Sequence, residues 1–244
     1  MAGFDGQDLG DGALSDLVRE RSVGNFILFT RNIADPTQVR RLNDGLRDLA
    51  RVDGSHEPVI AVDQEGGMVS RVQKGGTWFP GALACAAALE GQDGSERPGL
   101  GDLGDLAMAM AAELCDMGFN LDLAPVADIN SNPANPVIGV RSYGESADLV
   151  AMRAVMVAKG LARGGLLACG KHFPGHGDTA VDSHFGLPSV DGGLTTLEAR
   201  ELVPFRALAG MGIASLMTAH ILLPGVVADL GGVAAEAALP ATLN

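Results

Sequence analysis

The 244-residue sequence predicts an α/β protein, a TIM-type (β/α)8 barrel of which about six of the eight strands are present. Short apolar runs alternate with segments of helical periodicity, a pattern typical of a parallel sheet covered by helices. Polar residues follow several predicted strands directly, where barrel enzymes build their active sites. Doubly wound sheets also bind ligands at strand ends, so that fold remains an alternative. No linker or repeat interrupts the alternation, and residues 1–244 are expected to form a single domain.

Six segments of the sequence are predicted to be strands. The clearest are short continuous apolar runs, as expected of strands that are buried on both faces. The predicted strands are residues 1–3, 25–30, 58–63, 121–126, 166–170 and 213–218. The first of these is counted as the end of a strand.

Helices are predicted between these strands from their start signals and their apolar spacing. Asp35 can cap a helix whose first residue is Pro36, because aspartate accepts a backbone N–H of the first turn and proline suits that position. The apolar residues of one helical face then follow at Val39, Leu42, Leu46 and Leu49. Further helices are predicted over residues 103–117 and 146–163. The pattern Thr195-x-x-Glu198 predicts a capping box that opens another.

Composition and charge exclude several classes of protein. The net charge of −13 argues against a nucleic-acid partner, because phosphate-binding proteins concentrate lysine and arginine. No apolar run reaches the roughly 18 residues that span a bilayer, so no membrane partner is expected. Residues 1–12 lack the layout of a signal peptide, which favours a cytoplasmic location. Neither composition nor charge indicates an oligomeric state.

Cysteine and glycine patterns give no indication of a cofactor. The three cysteines, Cys85, Cys115 and Cys169, lie far apart and form no C-x-x-C pair. Buried, reduced thiols are therefore expected. Neither a P-loop nor a Gly-x-Gly-x-x-Gly segment follows any predicted strand, so no nucleotide and no other cofactor is predicted.

The densest group of polar residues lies at positions 171–184, Lys-His-Phe-Pro-Gly-His-Gly-Asp-Thr-Ala-Val-Asp-Ser-His. Its glycines and Pro174 disfavour a helix, so an irregular loop leaving a strand end is predicted. Polar loops on a rigid scaffold frequently carry function. Asp182 and His184 are close enough in the chain to reach one site. A histidine can donate and accept a proton near neutral pH, and a carboxylate can orient it.

This loop resembles the signature of the β-N-acetylglucosaminidase (β-N-acetylhexosaminidase) branch of glycoside hydrolase family 3. Segments 24–32, 62–67 with Arg71, 123–128 and 141–144 resemble further family segments, in the family's order. The resemblance implies hydrolysis of terminal β-linked N-acetylglucosamine, with retention, from glycosides such as peptidoglycan fragments in peptidoglycan recycling. Family β-glucosidases share the barrel but lack the Asp-Ser-His loop.

The resemblance also implies a role for each matching residue. His184 corresponds to the general acid/base and Asp182 to the carboxylate that pairs with it. The residues that correspond to those holding the hydroxyls of the terminal sugar are Asp63, Arg71, Arg141, Lys171 and His172. His176 is instead expected to be a hydrogen-bond partner that stabilises the loop.

Part of the family's barrel is expected to be absent from these residues. The family's aspartate nucleophile lies in a Ser/Thr-Asp-Asp-Leu segment after the seventh strand, and no such segment occurs in the sequence. Residues 240–243, Pro-Ala-Thr-Leu, resemble the start of the helix before that strand, and residues 1–6 resemble the end of the first strand. The last two β/α units are therefore expected to be missing, and the chain is expected to be inactive or very weakly active.

Several alternatives remain at this point. Without the resemblance, Asp63 could be a strand-end cap, and Arg71 and Arg141 could be surface charges. Phosphate could replace water as the acceptor, because a neutral histidine repels an anion less than a carboxylate does. The chain could also bind N-acetylglucosamine without turnover. A metal-dependent hydrolase is disfavoured, because Pro174-Gly175 breaks the helical spacing that would place His172 and His176 on one metal; no metal site is predicted.

Overall fold

The computed structural model describes residues 1–10, 12–51, 57–90, 99–180, 187–190, 192–231 and 239–242. Its strands are short and follow the predicted segments. In chain order they are β1 (Phe26–Leu28), β2 (Ile60–Val62), β3 (Gln64–Gly66), β4 (Val69–Ser70), β5 (Leu121–Asp122), β6 (Leu167–Phe173) and β7 (Ser215–Thr218). The hairpin of β3 and β4 was not predicted.

The main sheet contains five parallel strands in the order β1-β2-β5-β6-β7. Neighbouring strands of this sheet follow one another in chain order; Ala61 of β2, for example, pairs with Leu121 of β5. A doubly wound sheet reverses its strand order at a switch point, whereas a barrel adds strands in sequence. Ala2 forms a parallel bridge to Phe26, which places residues 1–3 beside β1 as predicted. The fold is therefore an incomplete TIM-type barrel.

Successive residues of the strands pack into two different apolar clusters. Ile60 and Val62 belong to the large core between the sheet and the helices. Ala61 belongs to an inner cluster with Leu121, Leu123 and Cys169. Because side chains alternate between the two faces of a strand, this division gives one face to the helices and the other to the barrel interior.

Eight α-helices are described around the sheet. They are α1 (Ala13–Arg21), α2 (Pro36–Ala50), α3 (Ala82–Glu90), α4 (Leu100–Asp116), α5 (Ala147–Arg163), α6 (Leu194–Thr196), α7 (Leu202–Gly210) and α8 (Pro224–Asp229). A π-helical segment, Leu197–Glu201, joins α6 to α7. Among the described residues, none of the helices combines the length and the apolar content needed to cross a bilayer.

The start of α2 confirms the predicted capping signal. The Asp35 side chain accepts the backbone N–H of Gln38 at 2.8 Å, and Pro36 is the first helical residue. Val39 and Leu46 are fully buried on the sheet side. A fixed φ at the first position and a satisfied N–H in the first turn thus set where this helix begins.

The predicted capping box at Thr195 and Glu198 is wrong. Thr195 lies within α6, and the residue at the N-cap is Gly193. The Leu194 N–H is accepted instead by Asp229 Oδ2 at 2.7 Å. Asp229 of α8 therefore caps this helix, whereas the local pattern had predicted that Thr195 would do so.

Two further predictions need correction. Lys171, His172 and Phe173 belong to β6, so the irregular loop begins at Pro174 and not at Lys171. All three cysteines are free, but only Cys169 is buried, whereas Cys85 and Cys115 are partly exposed.

Candidate active site

The carboxyl edge of the sheet collects all five residues that the sequence assigned to sugar binding. Asp63 directly follows β2, and Lys171 and His172 lie in the last part of β6. Arg71 follows β4, and Arg141 ends the 3₁₀ turn Gly139–Arg141. Ion pairs or hydrogen bonds link each of these residues to another member of the cluster. We call the five residues the polar shell.

A buried lysine connects two carboxylates of this site. Lys171 Nζ lies 2.6 Å from Asp63 Oδ1 and 2.6 Å from Glu65 Oε1, and the Lys171 residue is 1% exposed. Burial alone would raise the pKa of Asp63 and of Glu65, but the Lys171 charge helps to hold both pKa values below their ordinary range. Burial would lower the pKa of Lys171, yet the two carboxylates raise it. All three groups are therefore charged at neutral pH.

Glu65 also fixes Arg141. The Arg141 Nε lies 2.8 Å from Glu65 Oε2 and its Nη2 lies 2.7 Å from Glu65 Oε1. Two parallel bonds of this kind set the plane of a guanidinium group as well as its position. Arg71 Nη2 is 3.5 Å from Asp63 Oδ2, which completes an alternating row of positive and negative groups.

Asp128 binds both the ring and the backbone of the histidine region. Its Oδ2 lies 2.6 Å from His172 Nδ1, and its Oδ1 accepts the His176 N–H at 2.7 Å. The His172 N–H lies 3.2 Å from each carboxylate oxygen. Burial would raise the pKa of Asp128, but the hydrogen bonds from the His172 ring and from the two backbone N–H groups hold it below its ordinary value. Asp128 is therefore an ionised carboxylate with no exposed surface.

The turn that follows β6 is fixed by side chains beside it. Thr179 Oγ1 lies 2.7 Å from His176 Nδ1, and Asn135 Nδ2 donates to the His176 and Gly177 carbonyls at 2.9 and 3.1 Å. Asp178 pairs with Arg200 at 2.6 Å. His176 thus occupies the hydrogen-bonding position in the loop that the sequence predicted for it.

Asp122 is a buried carboxyl below the polar shell. Its Oδ1 accepts the Gln64 N–H at 2.9 Å, whereas its Oδ2 has no hydrogen-bond partner in the described part of the chain. Burial raises the pKa of Asp122 well above its ordinary value. The Gln64 side chain in turn accepts the Arg71 N–H at 2.7 Å, so Asp122 supports the hairpin that carries Glu65.

A cavity of about 480 Å³ opens beside the site and shares Glu65 and Arg141 with it. The rest of its lining is mostly apolar or small, for example Met68, Ala82 and Val140. The cavity therefore offers few hydrogen-bond partners, unlike the polar shell.

Two of the predicted site residues, Asp182 and His184, lie outside the described residues. The sequence placed Asp128 (or Asp122) at a strand end without a role and gave no role to Glu65, yet both residues bind the polar shell from behind. Both stand in segments that follow predicted strands, which was the available signal. Within the described ranges, no group of three or more histidine, cysteine, aspartate or glutamate side chains is arranged to hold a metal ion.

The sequence is similar to known glycosidases along most of its length. Residues 11–244 match the family model described as the glycosyl hydrolase family 3 N-terminal domain. Beta-hexosaminidase A of Pseudoalteromonas piscicida is 38% identical over 218 residues, which are 87% of this chain and 35% of that protein.

Solved structures agree with this match. A glycoside hydrolase family 3 beta-N-acetylglucosaminidase from Paenibacillus sp. str. FPU-7 shares 41% identity at a TM-score of 0.89, over 100% of this chain and 43% of that one. NagZ from Neisseria gonorrhoeae, in complex with N-trifluoroacetyl-D-glucosamine, shares 34% identity at a TM-score of 0.82, over 93% of this chain and 64% of that one. The chain spans less than two thirds of each of these relatives. Its sequence, its fold and the matched family model together show that it belongs to glycosyl hydrolase family 3.

Proposed function

We propose that this chain forms the sugar-binding part of a retaining β-N-acetylhexosaminidase, which removes terminal β-linked N-acetylglucosamine from glycosides such as peptidoglycan fragments. The observation that carries the proposal is the polar shell at the carboxyl edge of the sheet. Two relatives support it by name, since one is a beta-N-acetylglucosaminidase and another was solved with an N-acylated glucosamine.

The polar shell suits the hydroxyls of a sugar ring. A hydroxyl both donates and accepts hydrogen bonds, and the shell offers carboxylate acceptors beside cationic donors. Asp63 and Arg71 keep 16% and 30% of their side chains exposed, so they remain available to a ligand, whereas Lys171 keeps 2%. This partly exposed pair contacts the sugar, and Lys171 fixes Asp63 from behind.

The acid/base part of the proposal assigns His184 and Asp182. His184 protonates the glycosidic oxygen as the bond to the anomeric carbon breaks, and it later takes a proton from the attacking water. Asp182 orients the ring. Support comes from the matched family and from the fixed turn before them, since Thr179 is tied to His176 and to Asn135.

Retention also requires a carboxylate that attacks the anomeric carbon. The carboxylates described at the site are already engaged, since Asp63 and Glu65 pair with Lys171 and Asp128 pairs with His172. A Ser/Thr-Asp-Asp-Leu segment does not occur in the 244 residues. We therefore propose one barrel domain in which these residues bind the sugar but turn it over very slowly or not at all.

The test measures binding and turnover separately. Calorimetric titration with N-acetylglucosamine should show saturable binding that is lost in the Asp63→Ala variant, while the Asp44→Ala variant, changed at a half-exposed position of α2, keeps it. A folded wild-type chain that binds no sugar would refute the assignment of the shell. Release of nitrophenol from 4-nitrophenyl β-N-acetylglucosaminide should be at background level. A rate comparable to that of the Paenibacillus enzyme would show that a carboxylate among these residues attacks the anomeric carbon, which contradicts the proposed mechanism.

A further inference from the structure

We propose that Asp128 is a positioning residue that keeps the proton of His172 on Nδ1, so that Nε2 presents a lone pair to a sugar hydroxyl. The ligand in this statement rests on the proposed function. The tautomer does not, because it follows from the neighbours of the two ring nitrogens.

The neighbour of Nδ1 can only accept a hydrogen bond. Asp128 Oδ2 lies 2.6 Å from this nitrogen. An ionised carboxylate has no proton to give, so a bond of this length requires the proton to sit on Nδ1. A carboxylate behind a histidine sets the tautomer and ring orientation in the same way in other sites.

The neighbour of Nε2 can only donate. Arg141 Nη2 lies 3.4 Å from this nitrogen, and a guanidinium has no acceptor. Glu65 holds the Arg141 guanidinium with two bonds, so the N–H groups of Arg141 are fixed beside the His172 ring. A proton on Nε2 would face these donors, whereas a lone pair is compatible with them. The two sides of the ring therefore indicate the same tautomer independently.

The Asp128 carboxylate cannot turn away without losing other bonds. Its Oδ1 accepts the His176 N–H at 2.7 Å, and the His172 N–H reaches both oxygens at 3.2 Å. Because three backbone and ring donors converge on one fully buried carboxylate, its orientation is set by the chain itself. The same contacts fix the end of β6 relative to the turn that follows it.

This arrangement defines the group that it recognises. His172 Nε2 accepts and Arg141 Nη2 donates, and the two atoms are close enough for one oxygen to reach both. A hydroxyl satisfies both at once, since it donates to the nitrogen and accepts from the guanidinium. A methyl ether or a deoxy carbon at that position cannot donate. The 16% exposure of the His172 side chain leaves the ring accessible to such a group.

The experiment measures the tautomer directly and sugar binding beside it. Nitrogen-15 spectra of histidine-labelled wild-type chain, assigned with the His172→Gln variant, should show His172 protonated at Nδ1 only. In Asp128→Asn the amide oxygen can still accept the His176 N–H. The NH2 group of the new side chain then faces His172 Nδ1, and because it can only donate, the ring proton moves to Nε2. The affinity for N-acetylglucosamine should then fall about tenfold, the size expected for one lost hydrogen bond. Asp44→Asn, the same change on the exposed face of α2, should alter neither signal nor affinity.

Each outcome decides part of the proposal. A wild-type His172 protonated at Nε2 overturns it, whether or not the Asp128→Asn variant folds. An Asp128→Asn chain that keeps the proton on Nδ1 also overturns it. If the tautomer moves but the affinity does not, the hydroxyl contact is wrong. If the tautomer is as expected while the wild-type chain binds no sugar, the positioning role stands and the proposed function fails.

Discussion

Lys171 Nζ lies 2.6 Å from Asp63 Oδ1 in an ion pair whose lysine is almost completely removed from solvent. The same nitrogen is equally close to Glu65. Removing one partner of a buried ion pair leaves uncompensated charge, which costs about 3–5 kcal/mol. We expect Lys171→Met to lower the free energy of unfolding by that amount in urea titrations at pH 7. Lys159→Met, on the exposed face of α5, should change it by less than about 0.5 kcal/mol. A loss at Lys171 no larger than the control would show that water reaches both carboxylates.

The buried carboxyl of Asp122 should make stability fall as the pH rises. Its pKa is raised well above the ordinary value of 3.8, because burial disfavours the charge. Between 3.8 and the folded-state pKa the unfolded chain releases this proton and the folded chain keeps it, so stability is lost with increasing pH. The loss is about 1.4 kcal/mol per pH unit.

Asp122→Asn removes the titrating carboxyl and should therefore remove this dependence of stability on pH. The Asn oxygen can still accept the Gln64 N–H, so the hairpin contact is kept. We expect the stability of the variant relative to wild type to increase as the pH rises above 4 in denaturant titrations. A difference between the two chains that does not change with pH would mean that Asp122 is ionised in the folded state.

Arg141→Lys should weaken sugar binding although the charge is kept. A lysine can replace neither the two parallel bonds to Glu65 nor the donor beside His172 Nε2. We expect an affinity for N-acetylglucosamine at least about tenfold lower by calorimetry, which corresponds to about 1.4 kcal/mol. Arg40→Lys at the exposed pair with Asp44 is the matched control and should keep full affinity. Equal affinities of the two variants would place the ligand away from Arg141.

The fold could be predicted from the sequence because it depends on local patterns. The same is true of two residues of the polar shell, Asp63 and Lys171. The apolar run before Asp63 predicts a buried strand and at the same time puts a carboxylate at its end. Parallel strands bring such ends to one edge, so Asp63 and Lys171 were expected to meet although 108 residues separate them.

The remaining features depend on distances that no local pattern contains. Glu65 stands in a recognisable segment, but its partner Arg141 is 76 residues away, and nothing near Glu65 identifies that partner. Asp128 likewise acquires its role only when β6 brings His172 beside it. At Thr195 a local signature was present and was overridden, because Asp229 supplies the capping oxygen from another helix.

Gly177 should tolerate no side chain, because the turn after β6 packs directly on the backbone that follows Asp128. A Cβ at Gly177 would lie 1.6 Å from the Ile129 carbonyl oxygen, so the turn would have to move. That movement would break the Asn135 bond to the Gly177 carbonyl and displace His176 from Asp128. We expect Gly177→Ala to cost about 1–3 kcal/mol of stability and to weaken N-acetylglucosamine binding.

Gly101→Ala is the matched control for Gly177→Ala. Gly101 lies in the first turn of α4, where an added Cβ meets nothing within 4 Å. Alanine restricts the unfolded chain and favours the helix, so this variant should gain about 0.4–1 kcal/mol and bind the sugar normally. Thermal and urea unfolding with calorimetric titration would compare the two. If Gly177→Ala is as stable as wild type but loses affinity, the turn shifts without unfolding and its position alone governs the site. If it keeps both stability and affinity, the turn does not hold the histidines in place, and the support that Asp128 receives from His176 is dispensable.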